Sequence, residues 1–266
     1  MITSGQQLFI NRALPVFKRD PRVLAVALGG SYIRKETMDE YSGLDFVIAV
    51  NPADLESVLR DRAEIAGRLG PLLASFTGEH IQRPELLICL YDEPVIHVDL
   101  SFIPIGDAAR RYDDPVILYQ EGSALSDEYA KEPVRTPEPD MQWYEDRFWI
   151  WVHFAATRVG RGELFAAIDS LDFLRLNVLG PLIQMKSGRP PRGVRNIERD
   201  SPEDAPRLAA TVAQYDAKSC VRALKAAADL YISLRGVNKS RLYLRDEAEK
   251  RALRYLSYIS EKFLYA

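Results

Sequence analysis

Cysteine is nearly missing from this 266-residue chain, which has two, Cys89 and Cys220. Both lie within apolar patterns and read as buried thiols, and two are too few for a cysteine-based metal centre. Histidine is almost as scarce. His80 and His153 have no partner at ligand spacing, and three histidines so scattered argue against a zinc site. No apolar run exceeds six residues (Val23–Leu28 and Leu86–Tyr91), far short of a membrane span. The N-terminus has no basic stretch followed by an apolar core, so no signal peptide is expected and the reducing cytoplasm is the expected compartment. There are no internal repeats and no low-complexity tract. Neither sign of charge dominates, with 35 Lys+Arg against 38 Asp+Glu. With 47% hydrophobic and 27% charged residues, wholesale disorder is excluded.

What is present is divided. Residues 1–139 carry an acidic excess and residues 140–266 a basic one, which suggests two parts with different tasks. The first part alternates helix and strand signals. Helical spacing over residues 4–18, with Ser4 as a cap, precedes a β-branched run at Val23–Leu28. A second run at Leu44–Val50 is stopped by Asn51-Pro52, and helical spacing returns over 53–69. Glu85–Tyr91 and Val95–Ile103 predict a hairpin around Asp92-Glu93-Pro94, and Val116–Tyr119 is a weaker strand. A connector with three prolines, Lys131–Met141, ends this pattern. Beyond it nearly everything has helical period, apart from a basic Gly/Pro loop at Lys186–Asp200. The expected fold is α+β: a small mixed β-sheet domain over 1–135, then an all-α helical bundle over 140–266.

The informative stretch is Leu28–Val50, LGGSYIRKETMDEYSGLDFVIAV. A strand ends at Gly29-Gly30-Ser31 and a segment of helix-like character follows. Glycines let a phosphate approach the backbone, free N–H groups at a helix start favour an anion, and the Ser31 hydroxyl adds a donor. Arg34 and Lys35 supply positive charge nearby. Asp45 then interrupts an apolar strand, as Asp99 does in VIHVDLSFI, and a bare carboxylate is costly to bury there. Two such carboxylates downstream of a phosphate-friendly turn suggest a divalent metal bound with a nucleotide. The bland alternative is two strand aspartates facing water. Ser31 has no His/Asp partner in a nucleophile-elbow context, so hydrolase chemistry is unsupported.

Gly30-Ser31, the run through Tyr41-Ser42 to Asp45, and Asp99 on a later strand together resemble the nucleotidyltransferase superfamily with the DNA polymerase beta-like catalytic fold. That pattern is a Gly-Ser turn, Asp-x-Asp about a dozen residues on, and a third carboxylate on a following strand. The layout is similar to the aminoglycoside and lincosamide nucleotidyltransferases, which join that domain to a helical bundle. The resemblance implies Mg²⁺ as the ion, ATP or another nucleoside triphosphate as co-substrate, and transfer of a nucleoside monophosphate to a small hydroxylated acceptor, with antibiotics as one class. It implies Asp45 and Asp99 as catalytic and metal residues, and Gly30, Ser31, Lys35 and Ser42 as nucleotide-binding residues. The acceptor is expected between the two parts, a homodimer is one admissible assembly, and the acidic first half argues against nucleic acid.

One residue departs from the pattern. Where the first carboxylate of Asp-x-Asp belongs, this chain has Gly43. Positions 43 and 45 of a strand face the same way, so the loss removes a ligand from one face. Three readings follow: an enzyme with an altered site, one crippled at a single position, or a nucleotide-binding relic. Among other residues, His97 shares a strand face with Asp99 but reads first as a packed histidine. Glu145, Glu163 and Asp169 are unranked candidates for a general base and read first as solvated helix charges. Trp143, Trp149 and Trp151 read as core, the basic loop as a solvated one, and Arg175 either as a cleft residue or as one partner of an ordinary ion pair.

Overall fold

A computed structural model describes residues 2–33, 38–135, 140–236 and 242–264. The chain divides into two compact units, Met1–Thr136 and Pro137–Ala266.

The first unit is a six-stranded mixed sheet. Its strands are β1 (Val23–Leu28), β2 (Leu44–Val50), β3 (Leu72–Gly78), β4 (Arg83–Tyr91), β5 (Ile96–Pro104) and β6 (Val116–Gln120), in the order β3-β4-β5-β2-β1-β6. β2 and β5 run parallel and every other neighbouring pair is antiparallel. β4 and β5 form the expected hairpin, whose turn contains a cis Glu93–Pro94 bond. β3 was not expected. It lies at the sheet edge and its side chains are mostly exposed or half-buried, so it lacks the apolar run that marks the inner strands.

Alternation along the strands sorts the two faces. Phe46, Ile48, Val26, Leu28, Val98 and Leu100 face α1 (Ser4–Arg19) and α2 (Leu55–Gly67), with Phe9, Phe17 and Tyr91 filling the core. The Tyr91 hydroxyl donates to the Ala66 carbonyl at 2.8 Å. On the other face small residues (Ala25, Ala27 and Ala49) admit Leu125 of α3 (Ala124–Lys131) and Ala108 at close range. α1 is capped by Thr3 rather than Ser4, because Thr3 and Gln6 bond reciprocally to each other's backbone N–H.

The second unit is helical. α4 (Met141–Gly160), α5 (Leu164–Leu174), α6 (Gly180–Lys186), α9 (Ala217–Arg235) and α10 (Asp246–Leu264) carry the bundle; short α7 (Ile197–Asp200) forms the end of the basic stretch expected as a loop, and α8 (Ala205–Ala209) follows it. A π-helical turn at Arg175–Leu179 joins α5 to α6. Phe148 stacks on Tyr231 with ring centroids 3.7 Å apart, and Trp149 meets both edge-on. No helix among the described residues is long and apolar enough to cross a membrane.

Candidate functional site

The Gly-Ser turn, Asp45 and Asp99 meet on the sheet face opposite α1 and α2. Gly29 N–H donates to the Asp45 carbonyl at 2.8 Å, so the turn is tied to the start of β2. Gly30 has φ +56, a left-handed conformation that favours glycine, and a Cβ there would collide with the Asp45 carboxylate. The backbone therefore passes directly over that side chain. Asp45 and Asp99 are in register on parallel β2 and β5, which brings their side chains to one face about 4.8 Å apart along the sheet. The helix-like segment expected after the turn is, where described, only a 3₁₀ turn at Gly30–Tyr32. A long helix dipole therefore does not supply the anion preference, and the half-buried Gly30-Ser31 backbone and the Ser31 hydroxyl remain. Lys35, with Arg34, lies outside the described residues.

The loop into β2 is held from below. Gln6 is buried, and its side-chain amide donates to the carbonyls of Asp39 and Ser42, both at 2.8 Å. The Ser42 hydroxyl donates to Asp39 Oδ1 at 2.8 Å and accepts from Asp39 N–H, so Ser42 closes a turn with Asp39. Sequence reasoning did not single out Gln6, although the Thr3-x-x-Gln6 capping box was legible.

Gly43 is packed against β5. A Cβ at this position would lie 2.8 Å from the His97 carbonyl oxygen, closer than a real Cβ approaches a backbone atom. Position 43 is thus more than a carboxylate lost from an otherwise roomy site. His97 is not the packed histidine expected. Its side chain is 59% exposed, and Nε2 stands 2.7 Å from Oδ1 of Asp99, itself 27% exposed. Among the described residues no three His, Cys, Asp or Glu side chains converge on a metal position. On the opposite face burial pushes the Cys89 thiol up to about 11, which leaves it a protonated core residue.

The three base candidates of the second unit separate clearly. Glu145 is not solvated: it is fully buried and accepts from Tyr231 Oη, Arg235 Nη1, Trp149 Nε1 and Arg245 N–H. Glu163 is exposed and paired with Arg158, whose hydrogen bond holds its carboxyl below the usual range. Asp169 is exposed on α5. Arg175 donates to the Thr211 carbonyl at 2.6 Å and pairs with Asp172, an ordinary structural role. The basic loop is anchored: buried Gln184 donates to the Arg195 carbonyl and accepts from Arg192 N–H, and Lys186 pairs with Asp204. Trp149 is core, as expected; Trp151 is half-buried against the same core and contacts Trp143, which is exposed.

No protein-family model and no curated protein matches the sequence. Among solved structures, the chain is similar to an aminoglycoside 6-adenyltransferase from Bacillus subtilis, at 16% identity and TM-score 0.42, over 97% of this chain and 99% of that one. It is also similar to a nucleotidyltransferase-like protein from Exiguobacterium sibiricum, at 13% identity and TM-score 0.40, over 86% of this chain and 75% of that one. Likenesses of this strength say nothing about the chemistry of the site.

Proposed function

We propose that the chain transfers a nucleoside monophosphate, AMP from ATP, to a hydroxyl of a small molecule. The observation that supports this most is the meeting of left-handed Gly30, the Asp45 carboxylate beneath it and Asp99 in register beside it. A triphosphate would lie at Gly30-Ser31, above the Asp45 carboxylate that the missing Cβ of Gly30 admits, and the Ser31 hydroxyl would donate to a phosphate oxygen. Lys35 would add a positive charge, and Ser42 would serve the turn beneath.

Two in-register carboxylates form an oxygen donor set. That set fits an ion such as Mg²⁺, which completes its shell with water and phosphate oxygens, rather than one needing an all-protein cage. When bound, such an ion polarises the α-phosphate. Asp45 and Asp99 would hold it. The acceptor oxygen forms the new bond to the α-phosphorus, the bond to the bridging oxygen breaks, pyrophosphate leaves, and Asp99 takes the hydroxyl proton. The acceptor class rests on the sequence resemblance: a hydroxylated antibiotic or similar small molecule. The basic balance of residues 140–266 disfavours a strongly polycationic one.

Gly43 favours a second reading, nucleotide binding without transfer, because no carboxylate can stand there while β5 keeps its place. The test is pyrophosphate release with ATP and Mg²⁺ across a panel of hydroxylated acceptors, for the wild type, Asp45→Asn and Asp99→Asn. Acceptor-dependent release that both substitutions abolish supports transfer. ATP binding without release supports the second reading, and release unchanged in both variants contradicts the assignment of the site. Gly43→Asp is not a clean restoration, since its Cβ meets the His97 carbonyl.

A further inference from the structure

The row of cross-strand neighbours that holds Asp45 and Asp99 continues past them. Asp45 on β2 pairs with Asp99 on β5, Asp99 with Ile88 on β4, and Ile88 with Phe76 on β3. Residues in register share a face, so all four lie on the sheet face opposite α1 and α2. Leu90 and Ala74 pair two residues along and extend that face toward His97. Ile88 is half-buried, but Phe76 is 56% exposed and Leu90 39% exposed, and Ala74 is open as well.

Single exposed apolar residues are ordinary, but Ile88, Leu90, Ala74 and Phe76 adjoin one another as a small apolar shelf. A polar rim borders it: His97 and Asp99 along β5, and Arg83, which donates to the Ser101 hydroxyl at 2.8 Å. At the outer end the Phe76 ring leans on His80, with ring centroids 5.7 Å apart. Strand spacing puts the backbone of Ile88 about 5 Å, and that of Phe76 about 10 Å, from Asp99. The sheet order gives this placement a chemical meaning. The Gly30-Ser31 turn stands on the β1 side of Asp45, and the shelf on the β4 side of Asp99. In phosphoryl transfer the attacking and leaving oxygens lie roughly in line. A pyrophosphate that leaves toward the Gly30-Ser31 turn therefore requires the acceptor to come in over β4 and β3.

We propose that Ile88, Leu90, Ala74 and Phe76 form the acceptor subsite, and that the acceptor is a small molecule with an alkyl or aromatic face about 5–10 Å from the hydroxyl that reacts. The proposal rests on the transfer reading of Asp45 and Asp99 and deepens it by naming the acceptor class. The hydroxyl lies at Asp99, which takes its proton, while the apolar face of the molecule covers Ile88 and Phe76. A nucleobase is the other flat ligand of such a site, but the line of displacement points the shelf at the acceptor. A polycationic acceptor gains nothing from this surface.

The test uses the full chain with Mg²⁺ and three probes: chloramphenicol and lincomycin, which join hydroxyls to an aryl or alkyl group, and kanamycin, which is polycationic. Calorimetry in the presence of a non-hydrolysable ATP analogue reads binding, and pyrophosphate release with ATP reads transfer. The better of the two apolar-faced probes should bind more tightly than kanamycin, by a factor on the order of ten. Phe76→Ser and Leu90→Ser should each weaken that probe by a factor on the order of ten and leave affinity for the ATP analogue unchanged. Both side chains are exposed, so the variants should fold, and circular dichroism and melting point check this. Failure of both apolar-faced probes to bind, or binding that neither substitution changes, would overturn the proposal. So would a loss of ATP-analogue affinity, which assigns the shelf to the nucleobase, or a loss of self-association in ultracentrifugation, which assigns it to a second copy. Shelf-dependent binding without pyrophosphate release would sink the transfer reading and leave the shelf standing as a ligand site. Release with kanamycin alone, unchanged in both variants, would sink the shelf and leave transfer standing.

Discussion

Asp99 and Glu145 carry the same functional group in opposite surroundings. Glu145 is fully buried in the helical unit, with Tyr231, Trp149, Arg235 and the Arg245 N–H around its two oxygens. Asp99 lies on an open sheet face with His97 beside it and Asp45 in register. A carboxylate whose oxygens are all occupied by fixed donors has no capacity left for a metal, a phosphate or a substrate proton. One whose partner is a solvent-exposed imidazole does. The difference separates a carboxylate that holds helices together from one able to do chemistry, and chemical type alone does not reveal it.

Breaking the saturated side should cost the most stability. Glu145→Ala leaves Arg235 buried with only Glu249 opposite it, and strands the Tyr231 hydroxyl. Loss of about 3–5 kcal/mol is expected, measured by denaturant unfolding. Asp99→Asn should do the reverse, with stability nearly unchanged and metal-dependent nucleotide turnover down on the order of a hundredfold, seen as pyrophosphate release. If Asp99→Asn also unfolded the protein, the contrast would fail. Gly30→Ala sharpens the open side, because both the left-handed φ and the Asp45 carboxylate oppose a Cβ. A cost of about 1–3 kcal/mol is expected, appearing partly as weaker ATP-analogue binding.

Smaller effects test the support beneath the site. Gln6→Ala removes the two bonds to the Asp39 and Ser42 carbonyls, and about 1–2 kcal/mol of stability should go with them, read by thermal melting. The smallest effect concerns pH. A hydrogen bond from Arg22 holds the Asp20 carboxyl below its ordinary 3.8. A depressed carboxylate stabilises the fold above its unfolded value, and that contribution disappears as pH falls through the lower, folded one. Asp20→Asn should therefore flatten the stability–pH curve below about pH 4 and leave its shape near neutrality unchanged.

Much of the fold was legible because its inner strands are apolar along most of their length. Val23–Leu28, Leu44–Val50 and the β4–β5 pair stand out as continuous apolar runs, and the bundle shows helical period. β3 was not legible because an edge strand with exposed side chains leaves no such trace. Asp45 and Asp99 could be picked out because carboxylates are rare in apolar strands. Their adjacency could not, since it depends on β5 crossing to lie parallel beside β2. The roles of His97 and Glu145 were misjudged for a common reason. Strand and helix period give the direction of a side chain but not what stands opposite it, and the partners of Glu145 come from α9 and the segment before α10.

The central claim is that the Gly30 turn with Asp45 and Asp99 forms one nucleotide-and-metal site. Its most direct test is calorimetric titration of a non-hydrolysable ATP analogue into the wild type, Asp45→Asn and Asp99→Asn, with and without divalent ion. Binding should require the ion in the wild type and fall at least tenfold in both variants. Binding that ignores the ion, or that both variants retain undiminished, would contradict the claim.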